Sequence, residues 1–113
     1  MILNMMIHKN KELKCFTQPI FTDVEPEKFA IQESRSLQIG SLKDVYPYRH
    51  LDLYFLGVFD DETGSIVDVD ENGEKLLRKL LNCGAIVKPR LEQAKKENND
   101  VSSISTDSKR ETA

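Results

Sequence analysis

Four groups of residues have side chains that could do chemistry. Asp68-Val69-Asp70-Glu71-Asn72-Gly73 has the spacing of the first half of a calcium loop, where alternating acid and amide side chains converge and a glycine allows the sharp turn. The second half departs, because Lys79 stands where the closing bidentate glutamate belongs and Lys75 where an apolar residue belongs. The stretch therefore reads as a strand-to-helix turn whose acids face a helix dipole. Cys15, Cys83, His8 and His50 are the right donors for zinc, yet none are spaced as C-x-x-C or H-x-x-x-H, so local structure brings no ligands together. Beside Phe16 and Leu81 the thiols read as small buried side chains, and no metal or cofactor is expected. A cysteine nucleophile would need a partnered histidine and an orienting acid that no spacing supplies, so the chain is read as non-enzymatic.

Asp60, Asp61 and Glu62 are candidate paired acids, but general acid–base work needs a carboxyl raised in pKa by burial, and these fall at an expected hairpin tip in water. Eight acids against one lysine between Asp52 and Lys75 make that edge negative, suited to a basic partner surface. Tyr46-Pro47-Tyr48-Arg49-His50, with Lys43 nearby, interleaves aromatics with positive charge, the combination that stacks bases and holds a phosphate of single-stranded DNA. Its alternative is a Pro-Tyr loop packed on the core.

The elements that position these residues must come from 113 residues, enough for one domain, with 39% hydrophobic residues and no Trp. A formal charge of -3 has the wrong sign for a protein held to phosphate by bulk electrostatics. Two cysteines give no disulfide framework, which points to a reducing compartment, the cytoplasm. The apolar start, Met1 to Ile7, is far short of the ~20 residues that span a bilayer, and neither secretion nor membrane insertion is indicated.

Residues 1 to 8 predict a strand, and Cys15 to Phe21 an extended connection packed on the core through Phe16, Ile20 and Phe21. Thr22 and Asp23 are candidate caps for a helix over Pro26 to Leu37 stopped by Gly40, with Phe29, Ala30 and Leu37 as its apolar stripe. Residues 41 to 50 read as a loop. Leu51 to Val69 predicts a β-hairpin turning at Asp60-Asp61-Glu62-Thr63-Gly64. Leu76, Leu77, Leu80 and Leu81 have helical spacing, which predicts a second amphipathic helix over Glu74 to Cys83 with Gly84 as its C-cap. Ala85-Ile86-Val87 reads as a short strand or extended anchor before Pro89, and Leu91 to Asn98 as a frayed helix. The fold class is α+β: a small antiparallel sheet from the N-terminal strand and the central hairpin, packed with two amphipathic helices. Residues 1–87 form a single domain and 88–113 a solvated, mostly disordered tail.

Cys15-Phe16-x-x-Pro19-Ile20-Phe21, then Ala30 and Arg35 on a helix, then Asp52-Leu53-Tyr54-Phe55-Leu56-Gly57-Val58-Phe59-Asp60-Asp61-Glu62-Thr63-Gly64, together resemble the small non-structural protein of gokushoviruses, tailless single-stranded DNA phages of the microvirus group. The resemblance covers roughly residues 1 to 70. Leu53, Phe55, Gly57, Phe59, Asp60, Asp61 and Gly64 match the family's hairpin motif. It implies an accessory protein, absent from the virion, that assists viral single-stranded DNA synthesis and its coupling to genome packaging in the host bacterial cytoplasm. Its expected partners are the viral replication initiator or procapsid proteins. The alternative is a protein that binds single-stranded DNA directly through the Tyr46–His50 loop.

Overall fold

A computed structural model describes the backbone of residues 1–105 and the side chains of residues 1–97. It is an α+β fold, a six-stranded antiparallel sheet with helices on one face. The two long strands, β1 (Ile2–Asn10) and β4 (Leu51–Asp60), pair along their whole length at the centre. The outer side of β1 is covered by two short strands, β2 (Cys15–Phe16) and β3 (Ile20–Thr22). The outer side of β4 is covered by β5 (Ile66–Val67) and β6 (Arg78–Asn82). The chain thus runs twice through the same order of long strand, broken edge strand and helix, the helices being α1 (Pro26–Ile39) and α3 (Cys83–Ser105). This repetition is one of topology and leaves no trace in the residues.

The alternation of β1 and β4 separates two faces. Met6 opposes Phe55 and His8 opposes Leu53 on the helix-covered side. There they pack with Leu37 of α1, Val45, and Cys83 and Val87 of α3. Met6, Leu53 and Val87 are fully buried, each contributing about 1.5–3 kcal/mol of hydrophobic stabilisation. Both helices also meet each other: Arg90 of α3 donates to the carbonyl of Leu37 and, at 2.8 Å, to that of Gly40. These contacts satisfy free carbonyls at the end of α1, whose own last turn carries no basic residue.

The hairpin over 51–69 forms as its turn residues dictate. Gly64, at φ +78°, closes the tip and donates its N–H to the Asp60 carbonyl at 2.8 Å. Gly57 has a different reason to be glycine. A Cβ there would lie 2.4 Å from the Val67 carbonyl oxygen, so only a residue without one lets β5 approach β4. Opposite it the register of β1 shifts between Met5 and Met6, which leaves Leu56 as an extra residue in a β-bulge.

Several expectations are corrected. Glu74 to Cys83 is not a helix: its second half is strand β6, and the leucine spacing that fits a helix also fits a short strand with an irregularity at Leu80, since Leu81 opposes Leu53 and Lys79 opposes Tyr54. Without β6, Asp52 to Phe55 would have an open edge, and pairing there outweighs the helical pattern. Gly84 consequently lies in the first turn of α3 rather than at a C-cap. Asn82 marks the start instead, its Oδ1 accepting the Ala85 N–H at 3.2 Å. Ala85 to Val87 are helical, not extended, and Pro89 sits inside the helix without an N–H for the Ala85 carbonyl. Asp68 to Gly73 turns from strand to strand, bridged by Val69 and Lys75. Residues 41–50 are not loop throughout, for a short helix α2 (Leu42–Val45) is capped by the Ser41 hydroxyl on the Asp44 N–H and runs into a 3-10 turn at Tyr46–Tyr48. Glu25, with no side-chain cap, precedes α1, while Thr22 Oγ1 accepts the Val24 N–H. The expected tail overlaps the helix α3 as far as Ser105, and its remainder lies outside the described residues.

Candidate functional site

The proposed DNA-binding residues lie on α2 and on or just after the 3-10 turn that follows it, and most of their side chains have partners within the fold. Lys43 is exposed on α2. The Arg49 guanidinium stacks 3.7 Å from the centre of the Tyr46 ring and donates to the Tyr46 carbonyl, so these two side chains occupy each other. Tyr48 turns inward, meeting His8 edge-on at 5.7 Å, and burial pushes its phenol pKa up. His50 faces Glu12 at 3.5 Å.

Apart from Phe59, which lies on the helix-free face, each residue of the hairpin motif has a folding role. Leu53 and Phe55 are core, and Arg78 covers the Phe55 ring at 5.3 Å while pairing with Glu27 of α1 at 2.8 Å. Asp60 Oδ1 accepts the Glu62 N–H at 2.9 Å, and that hydrogen bond, with a further one from Thr63, holds its carboxyl below the usual range. Asp61 binds the Met1 amino group at 2.7 Å. In the calcium-like stretch Asp70 spends its carboxylate on its own turn, accepting the N–H groups of Asn72 and Glu74.

Sequence reasoning missed a buried polar trio under α1. His8 from β1, Glu33 from α1 and Cys83 at the start of α3 converge within the core. His8 Nε2 lies 2.8 and 3.0 Å from the two Glu33 oxygens, and the Cys83 thiol donates to Glu33 Oε2 at 3.2 Å. Their side chains are 9% (His8) and 12% (Glu33) exposed, and Cys83 is fully buried. Desolvation and the Glu33 carboxylate push the Cys83 thiol far up in pKa, which keeps it protonated and a poor nucleophile. Two of the four residues first weighed as zinc ligands meet here; Cys15 is exposed on β2 and His50 lies with Glu12, so neither joins them. The missed member had a signal. Glu33 falls midway between Phe29 and Leu37 at four-residue steps, a carboxylate in the apolar stripe of α1. A cleft of about 440 Å³, lined by Phe29, Gln32, Glu33, Leu37 and Tyr48 among others, reaches the Glu33 member of this trio from solvent.

Asp52 is a second buried acid, 2% exposed, with Lys11 Nζ at 3.2 Å and Lys79 Nζ at 3.3 Å. Its Oδ1 lacks a well-directed hydrogen bond among the described residues, so charge rather than geometry holds it.

The sheet face away from the helices is apolar as well. Leu3 opposes Phe59, Met5 opposes Phe21, Ile7 opposes Tyr54 and Lys9 opposes Phe16, which places all eight on that side. Phe16 meets Tyr54 at 5.9 Å and Phe21 meets Phe59 at 5.2 Å between ring centres. Phe16 and Phe21 are 45% and 50% exposed, so the connection expected to pack on the core instead lines an open surface. Lys9 lies at one end beside Lys11 and Lys79, which both pair with Asp52, and the hairpin turn with Asp61 and Glu62 lies at the other.

Comparisons with protein-family models, with characterised proteins and with solved structures find no significant match. No helix among the described residues is long and apolar enough to cross a membrane.

Proposed function

We propose that this chain is a non-enzymatic accessory protein of a small single-stranded DNA phage, assisting viral DNA synthesis and its coupling to genome packaging in the host cytoplasm. It acts by protein contact, docking a replication initiator or procapsid protein on the helix-free sheet face. The phage role rests on the hairpin-motif resemblance. The contact mode rests on one observation, an uncovered face of paired aromatics, Phe16–Tyr54 and Phe21–Phe59, where a monomer would normally keep polar residues. The charges at its two ends set the chemistry of the partner: an apolar centre with acids toward Lys9 and bases toward the turn that carries Asp61 and Glu62.

Single-stranded DNA is the competing occupant, since lysine beside aromatics also suits stacked bases. The test measures binding of purified viral initiator and procapsid proteins to the wild-type chain and to Phe21→Glu, with fluorescent single-stranded DNA in parallel at ~50 and ~200 mM salt. Docking on this face predicts protein binding that Phe21→Glu weakens by about tenfold or more, and DNA binding that is absent at both salts. Tight DNA binding that falls steeply with salt, or protein binding indifferent to Phe21→Glu, would refute the proposal.

A further inference from the structure

Independently of that role, we propose that His8, Glu33 and Cys83 form a zinc site that staples β1, α1 and α3 together. The three donor atoms, Nε2, a carboxylate oxygen and Sγ, all lie within 4.8 Å of one another, and each comes from a different element. Zinc takes nitrogen at about 2.0–2.1 Å, carboxylate oxygen at about 2.0–2.2 Å and sulfur at about 2.3 Å, which puts tetrahedral ligands roughly 3.3–3.6 Å apart. The separations of 2.8 Å for His8 to Glu33 and 3.2 Å for Cys83 to Glu33 reach that spacing if Glu33 withdraws by about 0.3–0.6 Å, and His8 Nε2 and Cys83 Sγ, within 4.8 Å of each other, close to about 3.6 Å around the ion. Binding exchanges the Cys83 thiol proton, and any proton on His8 Nε2, for the metal, and the thiol that burial otherwise keeps protonated becomes a ligand thiolate.

The donor set chooses among cations. One sulfur, one nitrogen and one carboxylate suit zinc, whereas calcium and magnesium want oxygen throughout. The surroundings have what such a site needs. The cleft beside Glu33 and Tyr48 gives the ion an entry path and a water to complete the tetrahedron. The Tyr48 ring, edge-on to His8, and the core residues around Cys83 shield the remaining sides. A small domain in which these elements, among the described residues, are otherwise held to one another by side-chain packing and the Arg90 contacts is the kind that gains from a metal staple.

The experiment uses the full chain, stripped with chelator and titrated with zinc and with cobalt(II) as a spectroscopic substitute. The expected result is saturation at one ion per chain, a thiolate-to-cobalt charge-transfer band, and a raised melting temperature that chelator reverses. Cys83→Ser should abolish the band and weaken zinc binding at least tenfold, while Cys15→Ser leaves both unchanged. If Cys83→Ser does not fold, X-ray absorption of the zinc-loaded wild-type chain replaces it, and one sulfur with nitrogen and oxygen neighbours is expected. No saturable binding at micromolar metal, a band that follows Cys15 instead of Cys83, or an absorption spectrum without sulfur would overturn the site.

Discussion

Replacing Gly57 by alanine separates a folding role for the hairpin motif from a contact role. The added Cβ would sit 2.4 Å from the Val67 carbonyl oxygen and 3.1 Å from the Asp68 Cα. Both neighbours are backbone, so the clash, about 1 Å inside ordinary contact, is relieved only by pushing β5 off β4. Overpacking of this sort costs about 1–3 kcal/mol, and the unusual backbone at φ +158° adds roughly 1 kcal/mol, giving a loss of about 2–4 kcal/mol. Gly64→Ala is the control. Its φ of +78° carries the left-handed penalty of about 1 kcal/mol, but no atom lies within 4 Å of the new Cβ. Urea unfolding followed by circular dichroism should therefore rank the two clearly, Gly57→Ala the worse by about 1–3 kcal/mol with an unchanged m-value, and with a melting temperature lower by on the order of 10–20 °C than wild type. If Gly57→Ala matched Gly64→Ala, the close approach of β5 would not be what requires a glycine there.

Other substitutions test the packing and the charges. Leu53→Ala, at a fully buried position, should lose about 2–5 kcal/mol, whereas Ile66→Ala on the exposed edge should stay within about 0.5 kcal/mol, both read by chemical denaturation. Asp52→Ala and Asp52→Asn both remove the charge that Lys11 and Lys79 face and should each cost about 3 kcal/mol; an Asp52→Asn far milder than Asp52→Ala would show that volume rather than charge is what Asp52 supplies. The hydrogen bond from Arg78 lowers the Glu27 pKa, so the stability this pair contributes is present above the usual glutamate pKa and lost as pH falls through the lower folded value. Arg78→Met should raise the Glu27 titration midpoint toward its ordinary range in an NMR pH series, and an unmoved midpoint would remove Arg78 as the main cause.

What was legible in the residues were the elements whose signals are local. The strand at 1–8, the helix opened by Pro26 and stopped by Gly40, and the hairpin turning at Gly64 each follow from turn chemistry and short-range periodicity. The element that failed, Glu74 to Cys83, was decided by a distant edge: Leu76, Leu77, Leu80 and Leu81 satisfy a helical period, and only the exposed flank of β4 makes them a turn and a strand. The same misreading displaced the start of α3, because Asn82 and Gly84 look alike as stop or start until the preceding element is known. The site divides similarly. His8 and Cys83 were visible as donors but with no reason to meet, since 75 positions of chain separate them and only the crossing of α1 over the sheet closes the gap. Glu33 was visible as an interruption of an apolar stripe. The aromatic face could not be read from spacing, because it depends on β2 and β3 folding back along β1.

The most direct measurement of where this protein acts is an amide chemical-shift map of the labelled full chain, titrated with the replication initiator or procapsid protein. A partner docked on the helix-free face predicts shifts concentrated on Leu3 to Lys9, Phe16, Phe21, Tyr54 and Phe59, all of them lost when Phe21 is changed to Glu in a chain that stays folded. Shifts confined to Tyr46–His50 or to the helices, or an undisturbed spectrum with both viral proteins, would contradict it.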